Sequence, residues 1–315
     1  MWLLLKYTLL YASVLMLVAL GGMFSERSGV INIALEGIMV VGGLIGVVMI
    51  NIMNAAGVPI ALALLLTIGA SALAGAIYSA LLAFSAINLK ADQTIGGTAL
   101  NLLAAALAVV VAKRVNGTDS SKISYSSSVN QHLNNVNYTF DIGPLTVNWF
   151  IVVSVAALAI AWFILYKTRF GLRLMACGEH PQAADSVGIN VYRMRYAGVL
   201  ISGMLGGLGG IVYITAGVSE WKFENGVAGF GFLALAVMIF GQWKPTRIAL
   251  AALLFGFFRA LGNVYTGFDF LKALNLPSSV YNMLPYIISL VVLAFTSKKS
   301  RAPKAEGIPY DKGQR

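Results

Sequence analysis

Apolar residues fall in nine blocks, at 3–23, 29–53, 58–87, 94–112, 147–166, 196–218, 227–240, 248–265 and 280–295, separated by shorter polar stretches. At 1.5 Å per residue, about twenty apolar residues span the ~30 Å of bilayer hydrocarbon. Inside hydrocarbon a single segment satisfies its backbone polar groups only as a helix. The pattern therefore predicts an all-α polytopic membrane domain over 1–297 with about nine transmembrane helices, followed by a basic tail at 298–315. The count ranges from eight to ten, because a glycine-rich block such as 29–53 can break or re-enter. Composition agrees: 58% of the 315 residues are hydrophobic, 11% are charged and 33 are glycine.

The polar segments set the orientation. Nine spans put the chain ends on opposite sides, and the tail carries Lys298, Lys299, Arg301, Lys304, Lys312 and Arg315. With the tail inside, inner segments hold fifteen basic residues and outer segments six, the bias expected of cytoplasmic loops. The loop at 168–196 is then cytoplasmic and the 34-residue Ser/Asn/Thr-rich stretch 113–146 external. Within the inner loop, Pro181 suits the first position of a short helix, Gln182 to Val187 continue it, and Gly188 suits the left-handed residue that stops it. The +10 net charge suggests no nucleic-acid partner, since the basic residues sit at span ends rather than on one soluble face. The single cysteine, Cys177, permits no intrachain disulfide.

The four spans before the external loop and the four after the cytoplasmic loop start from opposite sides of the membrane, the arrangement of an inverted repeat. The second span of each group opens with an irregular stretch, SERSGVINIALEG at 25–37 and SEWKFENGVAGFG at 219–231. Matched broken helices point to a central pathway, whereas glycines that let helices approach closely explain either stretch alone. Glu36 is the clearest ionisable residue within a span, where an unpartnered charge costs at least ~2.5 kcal/mol. It follows Asn32 by four residues, so a helix would place both on one face. Two roles are open to it: lining a path, or bracing a helix end, in which case Glu36→Gln should be tolerated. Asn101 in the fourth span and Phe230 at the second entry complete a candidate pathway, while Arg259 and Asn263 form another buried polar pair and Arg259 a possible counter-ion for Glu36. The sequence holds no phosphate-binding loop, no H-E-x-x-H pair and no G-x-S-x-G turn. The expectation is no enzyme, no cofactor and no metal; uphill transport would then require either an ion gradient or an ATPase on another chain.

GEHPQAADSVGINVYRMR at 178–195 resembles the cytoplasmic motif of permease subunits in ATP-driven importers for branched-chain amino acids, ribose and nucleosides. SGVINIALEGIMVVGG, ADQTIGGTALNLLA and GFGFLALAVMIFGQWKP are similar, more narrowly, to the nucleoside branch. The resemblance implies a type II importer permease in the bacterial cytoplasmic membrane, with Glu179, His180, Pro181, Ala183, Ala184 and Gly188 in a coupling helix that seats in the ATPase. It also implies a second homologous permease subunit, an ATP-binding cassette protein and a nucleoside-binding lipoprotein as partners, and a purine nucleoside such as guanosine as substrate. A simple sugar or a branched-chain amino acid is the alternative cargo. A channel or scaffold without ATP coupling is the alternative class, and would need no compact helix in the cytoplasmic loop.

Overall fold

The computed structural model describes residues 2–120, 122–123, 139–143, 145–215, 221–222, 226–268, 277–296 and 302–313. Helices α1 (Trp2–Arg27), α2 (Leu35–Ala55), α3 (Ile60–Ala83, extended by a π turn to Asn88) and α4 (Gln93–Asn116) are followed by strands β1 (Lys122–Ile123), β2 (Thr139–Ile142) and β3 (Leu145–Asn148). Then come α5 (Trp149–Lys167), α6 (Arg169–Glu179), α7 (Pro181–Ser186), α8 (Val191–Thr215), β4 (Trp221–Lys222), α9 (Phe230–Phe240), α10 (Pro245–Val264) and α11 (Ser278–Thr296). Seven of these helices are long and apolar enough to cross a membrane. The two predicted spans outside these seven are the block at 227–240, which yields an eleven-residue helix too short to cross alone, and the block at 280–295, which falls in α11; the block at 29–53 is among the seven but becomes helical only at Leu35.

Local chemistry sets the helix ends. Asp92 accepts the N–H groups of Thr94 and Ile95 at 2.8 and 2.9 Å, and Gly117 closes α4 at φ +67°. Asn148 and Thr168 cap α5 and α6 through the N–H groups of Phe150 and Gly171. Each supplies an acceptor to a donor that the helix leaves orphaned.

The core forms around α8, which packs against α1, α2 and α3. In α8, 72% of the apolar window is buried, against 22% in α4 and α5, whose exposed Leu, Ile and Val suit contact with lipid. Close packing follows from small residues. A Cβ on Gly207 would lie against the Ser71 carbonyl and 3.1 Å from the Cα of Gly75 in α3, and one on Gly42 of α2 would overlap Gly207. Between helices in lipid, such backbone approach supplies the van der Waals contact that drives association.

Contacts collect at two ends. At one end β1 pairs with β4, β2 pairs with β3, and Asn148 donates to the Thr215 carbonyl at 3.3 Å. Of the 113–146 stretch, residues 121, 124–138 and 144 lie outside the described residues. At the other end α6 meets the α1–α2 junction: Arg27 donates to the Trp243 carbonyl at 3.1 Å and faces Glu179 at 3.8 Å, and a Cβ on Gly178 would strike the Arg27 carbonyl. The C-terminal segment 302–313, read from sequence only as a basic tail, folds back on this same end, with the Ala305 N–H on the Gly178 carbonyl at 2.8 Å.

The glycine seam yields a stability expectation. Gly207→Ala overpacks the α3–α8 contact and should destabilise by about 1–3 kcal/mol, read as a lower thermal midpoint in detergent. Gly69→Ala, with nothing within 4 Å of the added Cβ, should leave the midpoint unchanged or raise it, since Ala is the better helix former; a loss equal to that of Gly207→Ala would remove this account of the seam.

Candidate functional site: two helices that begin inside the bundle

After α1 the chain turns at Gly29, φ +94°, and runs without helical structure to Leu35. Side-chain amides carry it. Gln93 Oε1 accepts the Ile31 N–H at 2.7 Å, while Asn101 donates to the Ile33 carbonyl at 2.9 Å and accepts the Gly37 N–H at 2.7 Å. Gln93 and Asn101 lie eight residues apart on α4, about 12 Å at the helical rise. They act as two rungs by which the segment descends into the bundle with its peptide groups satisfied. Asn32 is fully buried and donates Nδ2 to Ser202 Oγ at 2.8 Å. Its Oδ1 has no partner among the described residues, nor has Gln93 Nε2.

The second entry is built on Glu36. Its two oxygens accept the Gly229 and Gly231 N–H groups at 2.8 and 2.7 Å, and the Phe232 N–H is also directed at it. These are orphan donors at the start of α9, where a carboxylate also opposes the positive end of the helix dipole. Approach this close needs glycine: a Cβ on Gly231 would lie 2.5 Å from the Glu36 backbone. Gly229, at φ +77°, makes the turn into α9. Phe230 is buried between Tyr213 and Tyr11, with ring centroids 4.7 and 5.6 Å away, and the Arg259 guanidinium lies 5.5 Å over its ring. Asn263 donates to the Tyr11 hydroxyl. The rest of this entry, 219–220 and 223–225, lies outside the described residues.

Two expectations change here. Asn32 and Glu36 do not share a helical face, because Asn32 precedes the helix; tertiary bonds to α8 and α9 place them instead. Glu36 uses both oxygens as acceptors, so the bracing role no longer implies tolerance of Glu36→Gln: a Gln amide would turn an NH₂ toward a backbone N–H. Gln93, Ser202, Tyr11 and Tyr213 were missed. Gln93 had a signal, a Gln after the Asp92 cap, but a polar residue at a span end reads as an interfacial group until its partner is known.

At the loop-bearing end, α7 begins at Pro181, ends at Ser186, one residue earlier than expected, and is followed by Gly188 at φ +82°. Pro181 and Ala184 face inward, Ala184 against Cys177, Val191 and Tyr310. His180, Gln182, Ala183, Ser186, Val187 and Gly188 are exposed, and Glu179 pairs with Arg27. Ala184 thus packs the helix onto the protein and cannot present its side chain to a partner.

Membrane-length helices around an interior where two helices start on buried side chains define a polytopic membrane protein. The profile of the family described as "Branched-chain amino acid transport system / permease component" matches residues 4–293, and the chain belongs to that family. It is 40% identical over 311 residues to the guanosine ABC transporter permease protein NupQ of Bacillus subtilis, covering 98% of this chain and 96% of that protein. With the nucleoside ABC transporter permease protein NupC of Lactococcus lactis it shares 41% identity over 312 residues, 97% and 96% of the two chains. A further Bacillus subtilis protein, the guanosine ABC transporter permease protein NupP, is 31% identical over 150 residues, 47% of this chain and 40% of that one.

Two substitutions test the Glu36 contact. Glu36→Gln should destabilise by about 1–3 kcal/mol, the cost of a buried donor left without an acceptor, and Gly231→Ala should do at least as much by driving the entry loop off α2. Wild-type thermal midpoints for both in detergent would show that α9 is not held by this carboxylate.

Proposed function

We propose that the chain is the membrane-spanning subunit of an ATP-driven importer that moves nucleosides, such as guanosine, into the cell. The observation that carries this reading is the near full-length similarity to two permeases whose names specify guanosine and nucleosides. The chemistry of the broken-helix centre supports it. A nucleoside is neutral near pH 7 and offers hydroxyls and base edges, so its passage calls for a few hydrogen-bonding groups among apolar and aromatic walls. Asn32 with its unpartnered oxygen, Ser202, Gln93 and Asn101 are such groups, Phe230 supplies the aromatic face, and the charge on Glu36 is already held by backbone N–H groups.

In this reading the loop-bearing end is cytoplasmic, as its basic residues favour, and the two groups of spans form an inverted repeat with their broken helices at its centre. ATP is hydrolysed on a separate cassette protein that docks on α7, through Gln182, Ala183, Ser186 and Val187, the last 75% exposed. A lipoprotein delivers the nucleoside outside, and a second, homologous permease completes the pathway. The similarity to two different permeases of one organism supports that pairing.

A deletion strain carrying the chain with its partners should accumulate radiolabelled guanosine, with competition by unlabelled nucleosides but not by sugars or branched-chain amino acids. Asn32→Ala should lower that uptake about 5- to 150-fold, the loss of one buried polar contact of about 1–3 kcal/mol, while ATP hydrolysis continues. Competition by a sugar instead would reassign the cargo.

Docking is read separately. Ala183→Arg places bulk on the exposed face of α7 and should abolish co-purification of the cassette protein while the permease remains folded. Full retention of the cassette protein would move the docking site elsewhere.

A further inference from the structure

The segment 302–313 touches the α6–α7 step, the α1–α2 junction and α8. Its Ala305 N–H bonds the Gly178 carbonyl at 2.8 Å, at the step from α6 to α7. Two residues later the Gly307 N–H bonds the Gly29 carbonyl at 3.3 Å, where the chain turns down towards Asn32. Next, the Ile308 carbonyl accepts Arg195 Nη1 of α8 at 2.9 Å. Arg195 is 1% exposed, and the three parts meet at a point: a Cβ on Gly29 would lie 2.9 Å from Arg195 Nη2 and 3.3 Å from the Ala305 carbonyl oxygen.

Side chains seat the segment. Glu306 lies beside Glu26 at the end of α1, where two carboxyl groups can bond only by sharing a proton, and Glu26 also accepts the Trp243 indole N–H at 2.5 Å. Tyr310, 4% exposed, packs edge-on to Tyr192 at 5.4 Å and closes over Cys177, Ala184 and Val191. Asp311 pairs with Lys90, before α4, at 3.1 Å. A short segment without helix or strand thus bridges α7, the α1–α2 junction and α8.

We propose that 302–313 is a strap that fastens α7 to the path-bearing elements, so that a push on α7 reaches Asn32 through the α1–α2 junction and Ser202 through α8. The strap positions these elements and touches neither substrate nor ATP. This inference rests on the reading of α7 as the contact for the ATPase. Without the strap, the α6–α7 unit retains its direct contact with Arg27 but loses the hydrogen bonds that tie it at once to Gly29 and Arg195.

Cys177 reports the state of the strap. It is fully buried, and burial pushes its thiol up to about 11. Lifting Tyr310 exposes the sulfur and returns its pKa towards ~8.5, so both effects raise its reaction with a maleimide at pH 7.5. The experiment uses the reconstituted complex in proteoliposomes and reads three quantities: Cys177 labelling, ATP hydrolysis, and guanosine moved per ATP hydrolysed. Tyr310→Ala should raise labelling at least tenfold, through thiolate fraction alone, with the cassette protein retained and hydrolysis continuing. Guanosine per ATP should fall on the order of tenfold, the size of a typical coupling between sites. Tyr310→Phe, which keeps the ring, should behave as wild type in labelling and coupling. Raised labelling with unchanged guanosine per ATP overturns the proposal, as does unchanged labelling in Tyr310→Ala. Loss of the cassette protein with the strap lifted also overturns it, by making the segment part of the docking seat. A wild-type complex that hydrolyses ATP but moves no guanosine would instead sink the proposed cargo and leave the strap to be read with the true one.

Discussion

Peptide groups released from helical structure inside an apolar bundle must find partners, and that constraint organises this protein. Two helices start part-way along the bundle, and each start leaves orphan N–H groups where no water is at hand to take them. At α9 the solution is one carboxylate, Glu36, spread over Gly229 and Gly231. For the segment leading into α2 the solution is a pair of side-chain amides, Gln93 and Asn101. Because Glu36 belongs to the first turn of α2, the two irregular entries are bonded to each other, and a displacement of one is felt by the other.

The glycine-rich interior follows from the same geometry. With two incomplete helices at the centre, the surrounding spans must pack closely enough to exclude empty space. Gly42, Gly75 and Gly207 let α2, α3 and α8 approach to backbone contact. The same small residues leave few bulky side chains to obstruct a path. Where bulk does occur, at Phe230 between Tyr11, Tyr213 and Arg259, it fills the space above the start of α9. These features suit a passage that a substrate crosses without being tightly held, with affinity placed on the external binding protein in the proposed importer.

The loop-bearing end shows how a short polar helix is fixed to an apolar bundle. A six-residue helix has too few internal hydrogen bonds to be stable alone. α7 is held by Ala184 and Pro181 packing inward, by the turn at Gly188, and by a C-terminal segment that returns from beyond the last span. In the proposed importer such rigid attachment matters, since slack between α7 and the membrane helices would dissipate a displacement before it reached Asn32.

The sequence by itself determined the class. Long apolar blocks cannot be satisfied in lipid except as helices, and the positions of Pro181 and Gly188 and the break between the first two helices were legible, because each is a local property of composition or backbone preference; the number of crossings was not, since nine blocks correspond to seven membrane-length helices among the described residues. The tertiary structure alone decided where the polar residues point. The four-residue spacing of Asn32 and Glu36 reads as one helical face, yet Asn32 lies outside the helix because Gln93 and Asn101, more than sixty residues away, hold that stretch unwound. Ala183 and Ala184 are the same residue type side by side, and only the packing of Tyr310 and Cys177 makes one surface and the other core. The segment 302–313 reads as a solvated basic tail until Gly29, Gly178 and Arg195 are brought together to receive it. Helix formation depends on near neighbours, whereas the partners of a buried polar group are chosen by the fold.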